Sequence, residues 1–436
     1  MRTIITLLAA LLLGVTATNH AEAKLSRAEQ AMIGDVEQQQ ERWIGLLERM
    51  VNQNSGSRNL DGVRKVGAML TPEFEELGFE VTWIPQDEVN RGGHLVALHK
   101  GRKDRKRLLL IGHMDTVFEP DSPFQTFARR GSIAEGPGVE DDKGGVIVIL
   151  SALHAMKSAG TLSGANIVVV LTGDEEDAGD PTSISRAELG KWAEWADAAL
   201  DFEGLSIEDG KDMGVVARRS SYSWQLETSG KEGHSSGIFS KSAGEGAVFE
   251  MVRILARFRA ELPEPNLTFN IGLLSGGSIA TLDADGLRAS AAGKTNIIPS
   301  TAIARGDIRT LSNAQTERVV AKMTAIVADH APGTDAHIVF ERGYPPMAPT
   351  DGNRALLAEL NGVNADMGLE RMEELDPLKR GAGDISFVAR EIDGLVGLGA
   401  YGEGSHAPGE TVDLDSIVKQ AKRAAILMSR LARQPR

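Results

Sequence analysis

Residues 108–115 read Leu-Leu-Leu-Ile-Gly-His-Met-Asp, an apolar run that ends in a histidine and an aspartate. The same arrangement recurs at residues 167–176, where Ile-Val-Val-Val-Leu leads through Thr-Gly to Asp-Glu-Glu. Short apolar runs bounded by glycine and polar residues are typical of buried strands. Because helical stretches alternate with these runs, we expect an α/β sheet, and in such sheets ligands bind beyond the carboxyl ends of the strands.

Further apolar runs extend this pattern in both directions. They lie at residues 79–84, 95–98, 198–200 and 395–398, and an amphipathic helix is predicted at residues 28–51. The run at 198–200 is followed by Asp201-Phe202-Glu203, and the run at 395–398 leads to Gly404-Ser405-His406. Four strands of a mixed or largely parallel sheet would thus end in residues that can bind a metal.

The order of elements changes between about residues 215 and 342. Strands are predicted at 222–227, 268–274, 302–310 and 337–341, with helices at 246–262 and 314–330. This is the βαββαβ order of a self-contained small domain. Because strands of the larger sheet occur on both sides of it, we expect an insertion at 215–342 in a larger domain made of residues 24–214 and 343–436.

Composition excludes several functional classes. A length of 436 residues favours two globular units over one. The formal net charge of −14 argues against broad binding to nucleic acid or anionic membranes. Because the chain has no cysteine, it cannot form disulfides, and any metal would have to be held by His, Asp and Glu.

The N-terminus has the layout of a secretory signal peptide at residues 1–23. Arg2 precedes an apolar run at residues 4–15, and a polar stretch ends in Ala21-Glu22-Ala23. The apolar run is shorter than the roughly 20 residues that a membrane-spanning helix needs. We therefore expect cleavage after Ala23 and an exported protein, periplasmic or secreted, with no membrane attachment after cleavage.

The polar residues at the strand ends each have a catalytic and a structural interpretation. His113 and Asp115 lie two residues apart, so on an extended segment the carboxylate can orient a metal-binding ring. A turn histidine followed by a capping aspartate fits the same residues. Asp141 and Asp142, in a glycine-rich turn, either approach metal ions or cap the apolar helix that follows.

The acidic run at residues 174–177 also has two interpretations. Most charge runs are solvated loops, but this one directly follows a buried strand. Adjacent glutamates at a strand end can divide two tasks between them. One of them ligates a metal, and the other acts as a general base toward the attacking water.

Taken together, seven segments of the chain resemble one enzyme family. They are Gly-His113-Met-Asp115, Gly-Val-Glu-Asp141-Asp-Lys-Gly-Gly, Asp-Glu175-Glu176, Phe-Glu203, Gly-Lys-Glu-Gly-His234-Ser, Asn296-Ile-Ile-Pro and Gly-Ser-His406-Ala-Pro-Gly-Glu410. The set is similar to the zinc metallopeptidases that include acetylornithine deacetylase, succinyl-diaminopimelate desuccinylase and, as the closest, bacterial glutamate carboxypeptidase. The resemblance implies an α/β zinc-peptidase-like catalytic domain with an inserted ferredoxin-like (βαββαβ) dimerisation domain.

The resemblance also implies a centre with two Zn²⁺ ions per subunit. Five ligands follow from it: Asp141 as a bridge, His113 and Glu203 on one ion, and Glu176 and His406 on the other. Glu175 is implied as the general base, and Asp115 as a further catalytic residue. Asp201 is the alternative to Glu203, and Glu140 stands where the family usually has a small residue.

Three residues of the inserted domain are implied to contact the substrate. His234 would reach across a homodimer to polarise the scissile carbonyl, while Asn296 and Arg309 would hold the substrate carbonyl and carboxylate. Without the resemblance, His234 is an ordinary loop histidine and Arg309 an ordinary ion-pair residue on a strand. Arg342 is the next candidate for the carboxylate anchor.

These inferences combine into one leading hypothesis. The chain is expected to be a co-catalytic two-zinc hydrolase, a metallopeptidase of the carboxypeptidase type, that cleaves a peptide or amide bond next to a free carboxylate. Its substrate would be a small peptide or an N-acyl amino acid. An aminoacylase or N-acyl amino-acid deacylase is the alternative enzyme. An inactive binding homologue is a remote third possibility, disfavoured by the presence of Glu175 and of all five ligand types.

Overall fold

The computed structural model describes residues 25–436, so the predicted signal peptide lies outside the described residues. The helices are α1 Arg27–Gln38, α2 Gln40–Val51, α3 Leu60–Leu77, α4 Lys143–Ser158, α5 Thr182–Ser185, α6 Ala187–Trp195, α7 Gly246–Glu261, α8 Asn313–Ala328, α9 Asp351–Asp366 and α10 Leu414–Leu431. Within residues 25–436, none of these helices has the length and apolar character that crossing a membrane requires.

The strands fall into three groups along the chain. Before the insertion they are β1 Glu80–Gln86, β2 Arg91–His99, β3 Arg107–His113, β4 Ala128–Arg130, β5 Ile133–Glu135, β6 Asn166–Thr172, β7 Ala198–Asp201, β8 Ser206–Glu208 and β9 Lys211–Gly214. Within the insertion they are β10 Ser221–Gly230, β11 Gly233–His234, β12 Thr268–Phe269, β13 Leu273–Gly277, β14 Ile279–Leu282, β15 Ala289–Ala292, β16 Ile297–Ile298, β17 Thr301–Arg309 and β18 Thr334–Tyr344. After it come β19 Glu373–Glu374, β20 Gly394–Leu395, β21 Gly402–Glu403 and β22 Thr411–Asp413.

The opening segment forms two helices instead of the single helix predicted at 28–51. Helix α1 ends and helix α2 begins at Gln39, whose ψ of 3° departs from helical geometry. Met32 and Val36 of α1 and Trp43 and Leu47 of α2 nevertheless bury their side chains in the same core. The amphipathic pattern therefore predicted the buried face correctly. The break at Gln39 does not change which residues are buried.

The larger sheet has the strand order β1-β2-β6-β3-β7-β20. Strands β1, β2 and β6 are antiparallel neighbours, whereas β6, β3, β7 and β20 run parallel. Leu108 and Leu110 face one core cluster while Leu109 and Ile111 face another, because successive side chains on a strand point to opposite faces. Both faces are covered, and the carboxyl ends of β3, β6 and β7 meet at one edge.

The inserted unit has a sheet and a core of its own. Strands β12 and β13 pair with β17, followed by β10 and β18, and every pairing is antiparallel. Trp224 of β10, Phe258 of α7 and Met323 of α8 belong to its separate core cluster. The predicted fold class, an α/β domain with an inserted βαββαβ domain, is confirmed, whereas the exact domain limits stay a prediction.

Two connecting segments, residues 215–220 and 345–348, join the inserted unit to the larger domain. They lie side by side, because Arg218 and Met347 exchange backbone N–H to carbonyl hydrogen bonds of 3.0 and 2.9 Å. Just beyond them, Ser221 of β10 pairs with Tyr344 of β18. The chain therefore enters and leaves the inserted unit through one narrow paired connection.

Candidate metal centre

Three predicted ligands meet at the carboxyl edge of the larger sheet. His113 ends strand β3, Asp141 precedes helix α4, and Glu176 follows strand β6. One ligand atom from each of the three lies within 4.8 Å of the other two. His406, in the loop between β21 and β22, joins them with its Nε2 3.1 Å from Asp141 Oδ2 and 3.2 Å from Glu176 Oε2.

Asp141 occupies the middle of this group. Its Oδ1 lies 3.0 Å from His113 Nε2, and its Oδ2 lies 3.1 Å from His406 Nε2. Although burial opposes ionisation, the hydrogen bonds from these two imidazoles hold the pKa of Asp141 well below its usual range. Each carboxylate oxygen therefore faces a different imidazole, which is the arrangement that a bridging ligand between two cations requires.

The charges of the group fit a bound cation. Burial and the charge of Asp141 raise the pKa of Glu176 to about 7, because two carboxylates share a confined space. Hydrogen bonds to Asp141 and Glu176 raise the pKa of His406 to about 11. Metal ions substitute for protons in such clusters, and carboxylate oxygen with imidazole nitrogen suits zinc, cobalt or manganese.

Glu203 does not join the other four predicted ligands. Its carboxylate lies 2.6 Å from Arg218 Nη1 and 3.3 Å from Arg380 Nη2. The alternative carboxylate, Asp201, is buried, and desolvation together with the charge of Glu203 raises its pKa to about 7. Glu203 still lines the same cleft of about 330 Å³ as Asp141 and His406, and its role as a ligand stays a prediction.

Asp115 braces the acidic loop more closely than it braces the ring of His113. His113 Nδ1 lies 3.1 Å from the Asp115 main-chain carbonyl and 3.4 Å from its carboxylate. The carboxylate accepts the backbone N–H groups of Glu175 and Glu176 at 3.0 and 3.1 Å, and the hydroxyl of Ser57 at 2.6 Å. The Asp115 carboxylate therefore fixes the backbone of both adjacent glutamates.

The turn that carries Asp141 is anchored by Glu410, which is buried. Its carboxylate accepts the backbone N–H groups of Gly138, Glu140 and Asp141 at 3.0, 2.8 and 3.1 Å. The sequence motif contained Glu410 but indicated no role for it. A fixed turn holds Asp141 between the two imidazoles.

Helix capping does not explain the two adjacent aspartates. Helix α4 begins after Asp142, yet the Asp142 side chain makes no capping hydrogen bond. Its Oδ2 instead accepts the backbone N–H of His113 at 3.2 Å. The solvated-loop interpretation is also wrong for Glu176, whose side chain is only 6% exposed.

Glu140, the unusual residue beside Asp141, links two loops of the centre. Its carboxylate accepts the hydroxyl of Ser405 at 2.5 Å, next to His406. Burial and the charge of Asp141 raise the pKa of Glu140 to about 8. Gly204 provides the space, because a Cβ at that position would collide with Glu140 Oε1.

His234 and Asn296 lie together in the inserted unit, away from this chain's own cleft. His234 on β11 pairs with Ile297 on β16, and the carbonyl of Asn296 accepts the N–H of Ser235 at 2.9 Å. Both residues are exposed, and the His234 ring lies 2.8 Å from Ser236 Oγ. Neither of them lines the cleft that contains Glu175.

Arg309 lies beside the cleft without lining it. Its Nε donates to Asp307 Oδ2 at 3.1 Å, the ion pair that its position on a strand suggests. Its Nη1 would nevertheless lie 3.8 Å from a Cβ on Gly381, a residue that lines the cleft. The anchoring role of Arg309 stays a prediction that this position makes feasible.

Sequence reasoning missed a group of cations along the cleft: Arg218, Lys379 and Arg380. Arg218 is 5% exposed on its side chain and donates from Nε to the Gly381 carbonyl at 2.6 Å. In the sequence, these cations are marked only by the pairs Arg218-Arg219 and Lys379-Arg380, and neither pair has a fixed spacing to the predicted ligands. All three already pair with acidic residues, Arg218 and Arg380 with Glu203 and Lys379 with Glu208.

The sequence profile of Peptidase family M20/M25/M40 matches residues 109–430. The chain belongs to this family. Carboxypeptidase G2 from Pseudomonas sp. (strain RS-16) is 28% identical over 398 residues, which are 88% of each chain. A succinyl-diaminopimelate desuccinylase from Gluconacetobacter diazotrophicus is 26% identical over 355 residues, covering 78% of this chain and 86% of that one. The solved structure of a tripeptidase from Staphylococcus aureus has a TM-score of 0.71 at 20% identity and covers 91% of this chain and 99% of that one.

Membership of the M20 family confirms the predicted resemblance and the metallopeptidase class. The matched residues include every predicted ligand, from His113 to His406. The described part of this M20 peptidase contains a candidate metal site built from three of them.

Proposed function

We propose that this M20 peptidase is a two-zinc hydrolase that cleaves a peptide or amide bond next to a free carboxylate, as a carboxypeptidase acting on small peptides or N-acyl amino acids. The observation that carries the proposal is the position of Asp141, whose two oxygens face His113 and His406 separately. Paired metal sites in hydrolases hold their ions about 3.5–4 Å apart, and a carboxylate of this kind can bridge that distance.

Four of the five residues that would hold the two ions are brought together by this geometry, and Glu203 is added from the family resemblance. Asp141 would bridge them, with His113 on one side, Glu176 and His406 on the other, and Glu203 as the fifth ligand. Two zinc ions held there would supply Lewis acidity toward the scissile carbonyl and the attacking water. The remaining chemistry belongs to the protein's own side chains.

Glu175 is the proposed general base. It lines the cleft, and burial together with the charge of Glu203 raises the pKa of its carboxyl. A carboxylate with a raised pKa accepts a proton from water more readily, and the acid it forms can deliver that proton to the departing nitrogen. Both steps need Glu175 to keep one orientation, and the Asp115 carboxylate holds its backbone N–H.

The proposed substrate carboxylate would lie in the part of the cleft lined by Arg218, Lys379 and Arg380, with Arg309 close by. The similarity to carboxypeptidase G2 supports the carboxypeptidase type. The similarity to a succinyl-diaminopimelate desuccinylase supports an N-acyl amino-acid deacylase as the second candidate. Both reactions use the same centre and differ in the acyl side of the substrate.

Removing the metal should abolish hydrolysis. We expect exhaustive chelation to stop amine release from dipeptides ending in Glu or Asp and from N-acyl amino acids, and zinc or cobalt to restore it, because the ligands are carboxylates and imidazoles. Rates across this substrate panel separate the two candidate enzymes. Full activity in protein shown by elemental analysis to lack metal would rule out the proposed function.

Arg309 should control the preference for a free carboxylate. Arg309→Lys keeps the charge but loses the two parallel hydrogen bonds of a guanidinium, so KM for carboxylate substrates should rise. Arg309→Ala should cost about 2–5 kcal/mol in kcat/KM if the pair is desolvated. Arg380→Ala is the matched variant on the cleft wall, and a substrate with an amide-capped carboxylate is the control. If only Arg380→Ala erases the preference, the anchor is Arg380.

We also infer a homodimer in which His234 acts on the partner's centre, since His234 and Asn296 lie exposed and outside their own cleft. His234→Ala should then give folded, metallated protein with low turnover. Mixing it with Glu175→Gln subunits should restore some activity, because one site of the heterodimer keeps both residues. No recovery after verified subunit exchange would contradict a role across the interface.

Export is part of the proposal, on the strength of the N-terminal signal layout. The mature protein should begin at Lys24. N-terminal sequencing of periplasmic or secreted material checks this, and an intact Met1 on exported protein would contradict it.

A further inference from the structure

A buried arginine lies directly behind the acidic loop that carries Glu175. The Arg186 side chain, just before helix α6, is only 2% exposed. Its Nη1 donates to Asp174 Oδ1 at 2.6 Å, and its Nε donates to Asp384 Oδ1 at 2.7 Å. The second oxygen of Asp384 accepts the hydroxyl of Thr172, at the end of strand β6, at 2.5 Å. This charged cluster joins three separate parts of the larger domain.

Tyr344 connects this cluster to Glu175. Arg186 Nη2 donates to the Tyr344 hydroxyl at 2.5 Å, and that hydroxyl donates to the main-chain carbonyl of Glu175 at 2.6 Å. The Tyr344 ring packs edge-on against Phe387, with ring centroids 5.0 Å apart. Since the hydroxyl both accepts and donates, its orientation is determined by its two partners.

Both polar backbone groups of Glu175 are therefore held by side chains. The N–H donates to Asp115 Oδ1 at 3.0 Å, and the carbonyl accepts from Tyr344 at 2.6 Å. A peptide fixed at both ends restricts the direction in which its side chain projects. Catalysis depends strongly on such placement, because an error of about 1 Å can cost 10²-fold in rate.

Tyr344 is also the last residue of β18, so it belongs to the sheet of the inserted unit. On the neighbouring connecting segment, Arg218 contacts the carboxylate of Glu203 at 2.6 Å. At each of the two connections between the units, one side chain therefore contacts an acidic residue of the cleft. Tyr344 contacts Glu175, and Arg218 contacts Glu203.

We propose that Tyr344, held by Arg186, is a positioning residue that fixes the orientation of Glu175. The proposal rests on the proposed function, in which Glu175 is the general base. Tyr344 has no contact with reacting atoms in this scheme, since its hydroxyl is occupied by Arg186 and by the Glu175 carbonyl.

Tyr344→Phe tests the proposal, because it removes the hydroxyl and keeps the ring against Phe387. We expect kcat to fall roughly 10- to 100-fold, with KM and metal content within about twofold of wild type. In the Tyr344→Phe variant, the backbone amides of residues 173–177 should also exchange with deuterium faster than in wild type, including when both proteins are metal-free. Tyr222→Phe, a buried tyrosine of the neighbouring strand β10, is the matched control and should change neither measurement.

A second comparison tests whether Tyr344 acts through Glu175. In a Glu175→Gln background, Tyr344→Phe should lower kcat by less than about twofold, because the general base that Tyr344 positions is already absent. An unchanged kcat in Tyr344→Phe, or an equal cost in both backgrounds, would overturn the positioning role. Full activity of the Glu175→Gln enzyme would instead contradict the proposed function, so the two failures are distinguishable.

Discussion

Glu175→Gln should lower kcat by about 10²–10⁴-fold while both metals remain bound, because an amide cannot accept the proton of the attacking water. The substitution preserves the size of the side chain, and the backbone contacts to Asp115 and Tyr344 do not involve the altered atoms. KM should change little, since the base contributes mainly after binding. Single-turnover kinetics with elemental analysis of the same sample measures both quantities.

Glu176→Gln provides the matched comparison on the neighbouring residue. Glu176 Oε2 lies 3.2 Å from His406 Nε2 within the ligand group, so its loss should weaken metal binding first. Activity of that variant should recover in part at high zinc concentration, whereas Glu175→Gln should not recover. Loss of metal in Glu175→Gln together with retention in Glu176→Gln would show that the two roles are reversed.

Arg186→Met should destabilise the folded protein by about 3–5 kcal/mol, the usual cost of removing one partner from a buried ion pair. The two carboxylates it contacts, those of Asp174 and Asp384, would remain buried without their cation. Methionine fills a similar volume, so the loss reports mainly on charge and not on a cavity. Denaturant unfolding of the metal-free protein measures the change.

Arg64→Met is the control for this stability measurement. Arg64 pairs with Asp61 and Asp87 at the surface, and such exposed pairs contribute about 0–1 kcal/mol. Equal stability losses in the two variants would mean that the Arg186 cluster is no more important than a surface pair. Arg186 would then be too weakly bound to its carboxylates to hold Tyr344 and, through it, Glu175.

The strands of the larger sheet were predictable because their side chains are buried on both faces. The run at residues 108–111 divides its leucines between two core clusters, so it must be apolar at every position. Such continuous runs are easily recognised in a sequence. The break between α1 and α2 was not, because Gln39 interrupts the helix without interrupting the apolar pattern.

Much of the candidate centre was also predictable from sequence. His113, Asp141, Glu176 and His406 follow strands or turns that end at the same sheet edge, and the structure brings them within contact distance. For His113 and Glu176 this meeting follows from the parallel directions of β3 and β6, which the order of elements implies. Glu203 was equally well marked in sequence, but its side chain turns toward Arg218.

The sequence by itself determined the α/β class, the inserted domain and the residue types of a metal-dependent hydrolase, because burial and metal ligation restrict which side chains a position tolerates. Only the tertiary structure decided the partners of Asp115, Glu203, Arg186 and Tyr344. Tyr344 reaches Glu175 across 169 positions of the chain and Arg186 across 158. Such contacts depend on how two domains pack and on side-chain direction at strand ends, neither of which leaves a periodic pattern in the sequence.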